Sequence, residues 1–428
     1  MTLNELSPAE LDTFVEQQQT AYDALVGQGL KLDITRGKPS AAQLDLSNDL
    51  LRGAHETTVD GIDIRNYGGV KGLTTIRQIF ADLLGVPLEN ILAADNASLS
   101  IMHDLITFAV LHGTPDSDRP WDRSTIKILC PVPGYDRHFA ICEALGIEMI
   151  PVPLGEHGPD LARVRELLAD DSVKGMWVVP TYANPNGIVY DEATTRELVS
   201  MPAAPDFRII WDNAYAVHHL TDHEYPAIDV LGLATEAGNP NRIWEVASTS
   251  KITFAGAGVS FLAASAANLD WYLKYTGFRT IGPNKVNQQA HAEFLGSADG
   301  VRELMRKHRE IIAPKFAVVD EVLQQRLGEY AVATWTRPEG GYFVTLTVPN
   351  GTAAAVVALA KQAGIALTPA GSSHPLKHDP DDAVIRLAPT LPPVAEVRAA
   401  MEGVATCVLL AAGQARQAAA GSVRHSAD

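Results

Sequence analysis

The chain has 428 residues, of which 46% are hydrophobic and 20% charged, and its formal net charge is −17. Because single cores stop growing near ~250–300 residues, one large and one smaller domain are expected in an ordinary globular protein. The acidic balance argues against general binding of nucleic acid or anionic membranes, although a few local cations can still bind a small acidic substrate.

Cysteine usage and hydropathy exclude several further classes. The three cysteines are too few and too scattered for a disulfide framework or a zinc site, so no metal is expected. No apolar stretch approaches the ~20 residues of a membrane span. Residues 1–5 lack the basic and apolar pattern of a signal peptide. We therefore expect a cytoplasmic protein with no membrane partner.

The first forty residues predict a peripheral helix followed by an extended arm. Residues 7–10 (Ser-Pro-Ala-Glu) have the pattern of a capping box with proline at the first helical position. Residues 32–39 form an extended pattern that ends in a sharp Gly-Lys-Pro turn. Arg36 and Lys38 in this arm are candidates for contact with an anionic substrate, and solvated loop cations are the alternative.

Two loop-to-helix segments follow. The glycine-rich loop at residues 66–72 precedes a helical pattern over Thr74–Leu84, but it fits no Walker or Rossmann pattern and predicts no nucleotide site. Residues 96–100 (Asn-Ala-Ser-Leu-Ser) begin another helix, whose free N–H groups would bind phosphate well. A simple Asn/Ser helix cap is the alternative.

The middle of the chain alternates between apolar strands and helices. Strands are predicted at residues 126–132, 147–152, 176–180, 207–212, 242–248 and 259–264, and helices at 137–145, 160–168 and 192–199. Such alternation indicates a mostly parallel sheet with helices on both faces. Ligands bind such sheets beyond the carboxyl ends of the strands.

The C-terminal third predicts a different, smaller arrangement. A long helical pattern at residues 301–327 contains Pro314, which should kink it. Strands at 342–346 and 384–388 and helices at 353–363 and 393–410 follow. The Ala/Gln/Ser-rich tail from Gly413 is expected to fray.

Residues 248–251 (Ser-Thr-Ser-Lys) follow a predicted strand and precede a loop of small residues. Alone, this pattern is a weak signal. It is strengthened because polar residues also follow other strand-like runs, namely Tyr135, His138, Asn184, Asp212 and Tyr215. Together these are the groups needed to hold pyridoxal 5′-phosphate (PLP) as a Schiff base on Lys251.

Each of these residues has a candidate role. Asp212 would pair with the protonated pyridine nitrogen, with a helix N-cap as the alternative. Tyr215 and Asn184 would hydrogen-bond the phenolic oxygen of PLP. Tyr135 could stack on the ring, and His138, one helical turn later, could support Asp212 from behind.

Arg386 lies in a short apolar strand near the C-terminus. A buried guanidinium needs an anion, and a bidentate clamp on a substrate α-carboxylate would satisfy it. An internal ion pair is the alternative.

Taken jointly, these motifs resemble the fold type I PLP-dependent aminotransferases over nearly the entire chain. The matching positions, in family order, are Tyr67, Ala97 with Ser98, Tyr135 with His138, Asn184-Pro185-Asn186-Gly187, Asp212 with Tyr215, Ser248 with Lys251, and Arg386. More narrowly, the segments at residues 35–40, 133–139 and 250–256 look like the actinobacterial aspartate aminotransferases of subclass Ic.

The resemblance implies an α/β fold of the PLP-dependent transferase type. A large PLP-binding domain with a mostly parallel, seven-stranded type of sheet is expected at residues 46–313, and a smaller α+β domain at 314–428. Residues 1–45 would form an N-terminal helix and arm that pack with the small domain. The resemblance also implies a homodimer with shared active sites, in which Tyr67 reaches the partner's PLP phosphate.

One departure from the family pattern concerns the phosphate. The family usually has an arginine eight residues after the Schiff-base lysine, where this chain has Val259. The phosphate would then be held by the Ala97 and Ser98 N–H groups, the Ser248 and Ser250 hydroxyls, and Tyr67.

The expected substrate site includes Gly37, Asn184 and Arg386. The residue that binds the distal carboxylate stays open, with Arg137 as the first candidate, followed by Arg36 and Lys285.

The function predicted from this resemblance is transamination between L-aspartate or glutamate and 2-oxoglutarate or oxaloacetate, by a ping-pong route through pyridoxamine phosphate. Alternatives on the same fold are an aromatic or kynurenine donor, or a PLP lyase or decarboxylase. A ligand-sensing regulator would need a DNA-binding domain, and only about thirty residues precede residues 35–37. A Rossmann dehydrogenase would need a Gly-x-Gly-x-x-Gly motif, which is absent from the sequence.

Overall fold

The structure is a computed structural model that describes residues 2–425, with side-chain surroundings as far as residue 420. It divides into two compact units. The large unit comprises residues 41–183 and 188–309. The small unit comprises the chain up to Ser40, the segment Asn184–Gly187 and the chain from Glu310 onwards.

The helices of the described chain are α1 (Pro8–Gly27), α2 (Ala41–Asp45), α3 (Thr74–Leu84), α4 (Ser98–His112), α5 (Asp136–Leu145), α6 (Leu161–Leu167), α7 (Glu192–Ser200), α8 (Val230–Glu236), α9 (Ala266–Thr276), α10 (Lys285–Leu295), α11 (Ala298–Leu327), α12 (Ala353–Gln362) and α13 (Val394–His425). Within the part of the chain that the structure describes, no helix is both long and apolar enough to cross a lipid bilayer.

The strands are β1 (Leu32–Asp33), β2 (Thr58–Val59), β3 (Ile62–Asp63), β4 (Ile91–Ala93), β5 (Lys127–Val132), β6 (Glu148–Pro153), β7 (Val173–Val178), β8 (Arg208–Asp212), β9 (Ile243–Ser248), β10 (Ser260–Ala264), β11 (Thr334–Trp335), β12 (Val344–Thr347), β13 (Ile365–Ala366) and β14 (Val384–Leu387). The strand predicted at residues 176–180 is therefore displaced, because pairing with its two neighbours begins at Val173 and Gly175.

A seven-stranded sheet forms the centre of the large unit, in the order β4-β10-β9-β8-β7-β5-β6. Strand β10 runs antiparallel to both of its neighbours, and all the other pairs are parallel. This arrangement confirms the predicted α/β class with a mostly parallel sheet.

Two apolar layers cover the sheet because alternate strand residues point to opposite faces. One layer contains Phe80 and Phe261, whose rings stack with centroids 3.8 Å apart. The other contains Trp177 and Trp244. Buried on both faces, the parallel strands end at a common edge, where Asp212 is the last residue of β8.

The small unit contains a three-stranded antiparallel sheet, β11-β12-β14, and a parallel pair formed by β1 and β13. Helix α1 begins with the predicted capping box, in which the Ser7 hydroxyl accepts from the Glu10 N–H. Helix α11 continues across Pro314 as one helix.

The expectation that the tail frays from Gly413 is wrong for the described residues, because α13 continues to His425. Gly413 packs against α1, where an added Cβ would lie 2.8 Å from Val15 Cγ2. Beyond it, Arg416 Nη2 donates to the carbonyls of Asn4 and Leu6, at 2.9 Å each. Gly413 thus lies within a packed helix and not in a frayed tail.

Candidate active site

A buried hydrogen-bonded pair, His138 and Asp212, lies at the carboxyl edge of the sheet. His138 is in the first turn of α5, after the N-cap residue Tyr135. Its Nε2 is 2.9 Å from Asp212 Oδ2, and the two side chains are only 2% and 3% exposed. The His138 ring stacks on Trp177 with centroids 4.4 Å apart, and Tyr135 meets it edge-on at 4.9 Å.

The other carboxylate oxygen of Asp212 is open, in the sense that it has no hydrogen-bond partner among the residues that the structure describes. Asp212 Oδ1 is buried and has no hydrogen-bond partner within the described chain. Buried polar atoms are almost always hydrogen-bonded. The site therefore offers an acceptor to a donor that a ligand would bring.

Lys251 lies in the turn after β9, with its amine against the ring of Tyr215. The Nζ atom is 4.8 Å from the ring centroid. Burial lowers the pKa of the Lys251 amine below its ordinary value, and the negative charge of Asp212 opposes that shift. Lowering the pKa of a lysine raises the fraction of unprotonated amine, which is the form that acts as a nucleophile or a base.

The start of α4 is the candidate phosphate site. Its N-cap residue, Ala97, is extended (φ −146°, ψ 140°) and gives no side-chain cap to the first N–H groups of the helix, although the Ser100 N–H donates to the Ala97 carbonyl at 3.1 Å. Just before it, Asp95 Oδ2 accepts from Arg279 Nη1 at 3.0 Å, and Arg279 Nη2 reaches Asp104 at 2.8 Å. Arg279 thus links the approach to this helix with its second turn.

Ser248 is the last residue of β9, and Ser250 follows it in the lysine turn. A Cβ at Gly258 would lie 3.3 Å from Ser250 Oγ and 2.8 Å from the Asn96 carbonyl, so Ser250 is close to the start of α4. The Ser248 hydroxyl donates to the Ser250 hydroxyl at 3.1 Å. Val259, which stands where the family has arginine, is 2% exposed, and its N–H donates to Thr249 Oγ1 at 2.9 Å. The valine side chain is part of an apolar layer and brings no charge there.

In the small unit, Arg386 lies in β14 above the Phe343 ring, with its guanidinium carbon 5.0 Å from the ring centroid. Its Nη1 donates to Asn184 Oδ1 at 3.5 Å and its Nη2 to Thr368 Oγ1 at 3.4 Å. Gly37 packs against the same ring, because a Cβ there would lie 2.5 Å from Phe343 Cζ. The structure thus brings three predicted substrate residues of the small unit together.

The other candidates for anion binding differ in exposure. Arg36 and Arg137 are exposed. Lys285 is 3% exposed, and its Nζ donates to the Gly68 carbonyl at 2.7 Å. Its ammonium therefore supports the glycine-rich loop that carries Tyr67, whose side chain is 78% exposed.

Buried histidines around the lysine turn were not predicted from the sequence. His218 contacts the backbone of Lys251, and burial holds the pKa of His218 well below its ordinary value. His308 Nδ1 accepts from Gln43 Nε2 at 3.1 Å, and burial lowers the pKa of His308 to about 4. These histidines come from separate elements with no shared motif, so no pattern along the chain pointed to them.

A family model described as aspartate aminotransferase matches residues 6–420. The chain belongs to the aspartate aminotransferase family. An aspartate aminotransferase of Corynebacterium glutamicum is 54% identical over 420 residues, which cover 97% of each chain. This membership confirms the predicted resemblance and the assignment to the aminotransferase class of enzymes.

Solved structures of aminotransferases agree with this fold. A crystal structure of an aspartate transaminase from C. glutamicum superposes with a TM-score of 0.95 at 55% identity, covering 97% of this chain and 99% of that one. An α-aminoadipate aminotransferase from Thermus thermophilus, at 21% identity and a TM-score of 0.72, covers 89% and 93% and shows the fold alone. Aminotransferases of fold type I are generally PLP-dependent.

Proposed function

We propose that this chain transfers an amino group between L-aspartate and 2-oxoglutarate, with PLP bound at Lys251. The proposal depends chiefly on one observation, which is that Asp212, whose Oδ1 is buried without a hydrogen-bond partner among the described residues, lies in the same unit as Lys251, whose Nζ is 4.8 Å from the Tyr215 ring centroid. The 54% identity to the aspartate aminotransferase of C. glutamicum supports aspartate as the donor.

The open oxygen of Asp212 fits the cofactor. A protonated pyridine nitrogen is a donor that would satisfy Oδ1, while His138 already occupies Oδ2. The start of α4, which has no side-chain cap, and the Ser248 and Ser250 hydroxyls suit a phosphate group. Bound PLP would supply a carbon that receives the amino group and a cationic ring that takes up the electrons released at the substrate Cα.

Lys251 has two tasks in this assignment, which are covalent attachment of the cofactor and then proton transfer at the substrate Cα. Both tasks need an unprotonated amine. Burial favours that form by lowering the pKa of Lys251. Tyr215, on whose ring the amine lies, would orient it.

In the small unit, we assign Arg386 to the substrate α-carboxylate. A guanidinium can clamp a carboxylate with two parallel hydrogen bonds. Its long contacts to Asn184 and Thr368, at 3.5 and 3.4 Å, are weak hydrogen bonds that a carboxylate would replace at little loss. Gly37 leaves room for the Phe343 ring beneath the guanidinium.

We further propose a cytoplasmic homodimer. Large apolar side chains of the large unit are exposed near a cavity of about 540 Å³, which is lined by Val70, Asn96 and Gly258 among others. Phe278 is 84% exposed, and Ile281 is 62% exposed. Apolar surface of this kind marks interfaces, and the occupant proposed here is a second copy of the chain.

A panel of amino donors with 2-oxoglutarate tests the function. Purified protein reconstituted with PLP should become coloured, and it should form glutamate fastest with aspartate. A faster rate with an aromatic amino acid or kynurenine would replace aspartate as the donor. Product release without formation of the amino form of the cofactor would indicate a lyase or decarboxylase. No colour with added PLP would refute the proposal.

A further inference from the structure

Helix α10 carries an unusual number of buried polar side chains. Lys285, Gln288, Gln289 and His291 are each no more than 5% exposed. Burying a polar group costs free energy unless it is hydrogen-bonded. The partners of these side chains therefore show what the helix does.

These side chains bond to several separate loops. The Gln288 amide accepts from Leu73 N at 2.9 Å and donates to the Ala93 carbonyl at 3.1 Å. Asn287 Nδ2 donates to the carbonyls of Ala257 and Gly258, at 3.0 Å each. One helix thus connects the glycine-rich segment, the end of β4 and the loop after the lysine.

The bonds of His291 reach the lysine turn itself. Its Nδ1 is 2.8 Å from the Asn287 carbonyl. A carbonyl only accepts, so Nδ1 carries the proton and Nε2 is the acceptor. That Nε2 is 2.9 Å from Thr253 Oγ1 and 3.4 Å from Thr249 Oγ1. Burial lowers the pKa of His291, which favours this neutral form.

The two threonines enclose Lys251, at two residues before it and two after it. The N–H groups of Ile252 and Thr253 both donate to the Thr249 carbonyl at 2.9 Å. Thr249 Oγ1 also accepts from Val259 N at 2.9 Å. The turn is thus closed by backbone hydrogen bonds and by a longer contact of 3.3 Å from the Thr253 hydroxyl to the Thr249 carbonyl, and it is fixed to α10 through one imidazole nitrogen.

We propose that His291 is a positioning residue for Lys251, acting through the hydroxyl of Thr253. The inference rests on the proposed function, because it assumes that Lys251 carries PLP. His291 touches neither the cofactor nor the substrate in this assignment. Its effect is to hold the backbone from which the lysine side chain extends.

The test compares Thr253→Val, which keeps the shape and loses the hydroxyl, with Thr253→Ser, which keeps the hydroxyl. The readouts are the pH titration of the visible absorbance of the PLP-loaded protein and the single-turnover rate with aspartate. The thermal unfolding temperature is recorded alongside them. His291→Phe, which keeps a ring and loses both nitrogens, is the second variant and decides the matter if Thr253→Val does not fold.

Thr253→Val and His291→Phe should shift the absorbance titration and slow the single turnover by on the order of tenfold, since small misplacements of reacting groups are costly. Thr253→Ser should stay within about twofold of the parent, because the hydroxyl is retained. If Thr253→Val or His291→Phe folds and keeps the absorbance titration and the single-turnover rate of the parent, the inference is overturned, even if the unfolding temperature of the variant falls. Failure of the parent protein to bind PLP would instead refute the proposed function.

Discussion

His138 Nε2 lies 2.9 Å from Asp212 Oδ2, and the imidazole is held flat against Trp177. The carboxylate therefore has one oxygen held by His138, while the other has no hydrogen-bond partner within the described chain. Loss of the His138 hydrogen bond to Asp212 should therefore have a measurable effect on the binding of PLP.

Replacing His138 with Phe should weaken PLP binding. The ring would still stack on Trp177, but Asp212 would lose its donor, which costs about 1–3 kcal/mol for a buried acceptor. We expect a rise of roughly tenfold or more in the dissociation constant for PLP, measured by fluorescence titration of the apoprotein. His112→Phe, at an exposed position stacked on Tyr275, is the matched control and should bind PLP as the parent does.

Lys251→Ala should abolish both the absorbance of covalently held PLP and turnover. Loss of the general base alone costs about 10²–10⁴-fold in rate. Absorbance spectra and a coupled glutamate assay check the two effects separately. Lys307→Ala removes an exposed lysine that pairs with Glu303 at 3.2 Å, and it should change neither. Turnover near the parent rate in Lys251→Ala would contradict the assignment of the site.

Gly37→Ala should raise the KM for aspartate. The new methyl group would lie 2.5 Å from Phe343 Cζ, so the ring must move against the Arg386 guanidinium that it supports. Overpacking of this kind typically costs about 1–3 kcal/mol. Steady-state kinetics should show KM rising by about tenfold or more.

The control for this change is Gly27→Ala, at the end of α1, where nothing lies within 4 Å of the added Cβ. It should leave the kinetics unchanged. Because alanine favours helix over glycine by about 1 kcal/mol, the variant should be slightly more stable. An unchanged KM in Gly37→Ala would show that the Phe343 ring yields without moving Arg386.

Glu245 gives a pH dependence of stability. Burial raises the pKa of this carboxyl to about 8, and Asn213 Nδ2 donates to its Oε1 at 3.0 Å. The folded state therefore binds a proton that the unfolded state releases above about pH 4.5. The resulting stability is fully present below pH 4.5 and is lost as the pH rises towards 8.

Glu245→Gln removes this proton and its pH dependence. The free energy of unfolding of the variant should rise relative to the parent by about 1.4 kcal/mol per pH unit as an upper bound between pH 5 and 8. Urea unfolding at several pH values measures the difference. Glu16→Gln, at an exposed position of α1, is the matched control for the substitution itself. A flat difference for Glu245→Gln would mean that the carboxyl ionises normally.

Much of the large unit could be predicted because its strands are apolar along their whole length. Asp212 interrupts such a run at its end, and that position alone placed it at the carboxyl edge of the sheet. The motifs around Lys251 and Arg386 then indicated the chemistry. In the structure, Asp212 lies against His138, Lys251 against Tyr215, and Arg386 against Asn184.

The supporting residues could not be predicted in the same way. Helix α10 has polar residues on its buried face, so its sequence lacks the apolar stripe that marks a packed helix. His291 and Gln288 form hydrogen bonds with loops more than thirty residues away in the sequence, and no local sequence pattern indicates such partners. The prediction for the tail was wrong because it rested on composition. The sequence does not show that Val15 packs against Gly413, where a larger residue would clash.

Because α13 packs on α1, the two ends of the described chain should unfold together. Arg416 donates hydrogen bonds to the carbonyls of Asn4 and Leu6. Val15 and Phe14 pack closely against Gly413 of α13. Truncation of the chain before Gly413 would remove part of the helix that packs on α1, and the apolar face of α1 would become accessible to proteases. Digestion from either end should therefore release both ends at once, as one cooperative segment.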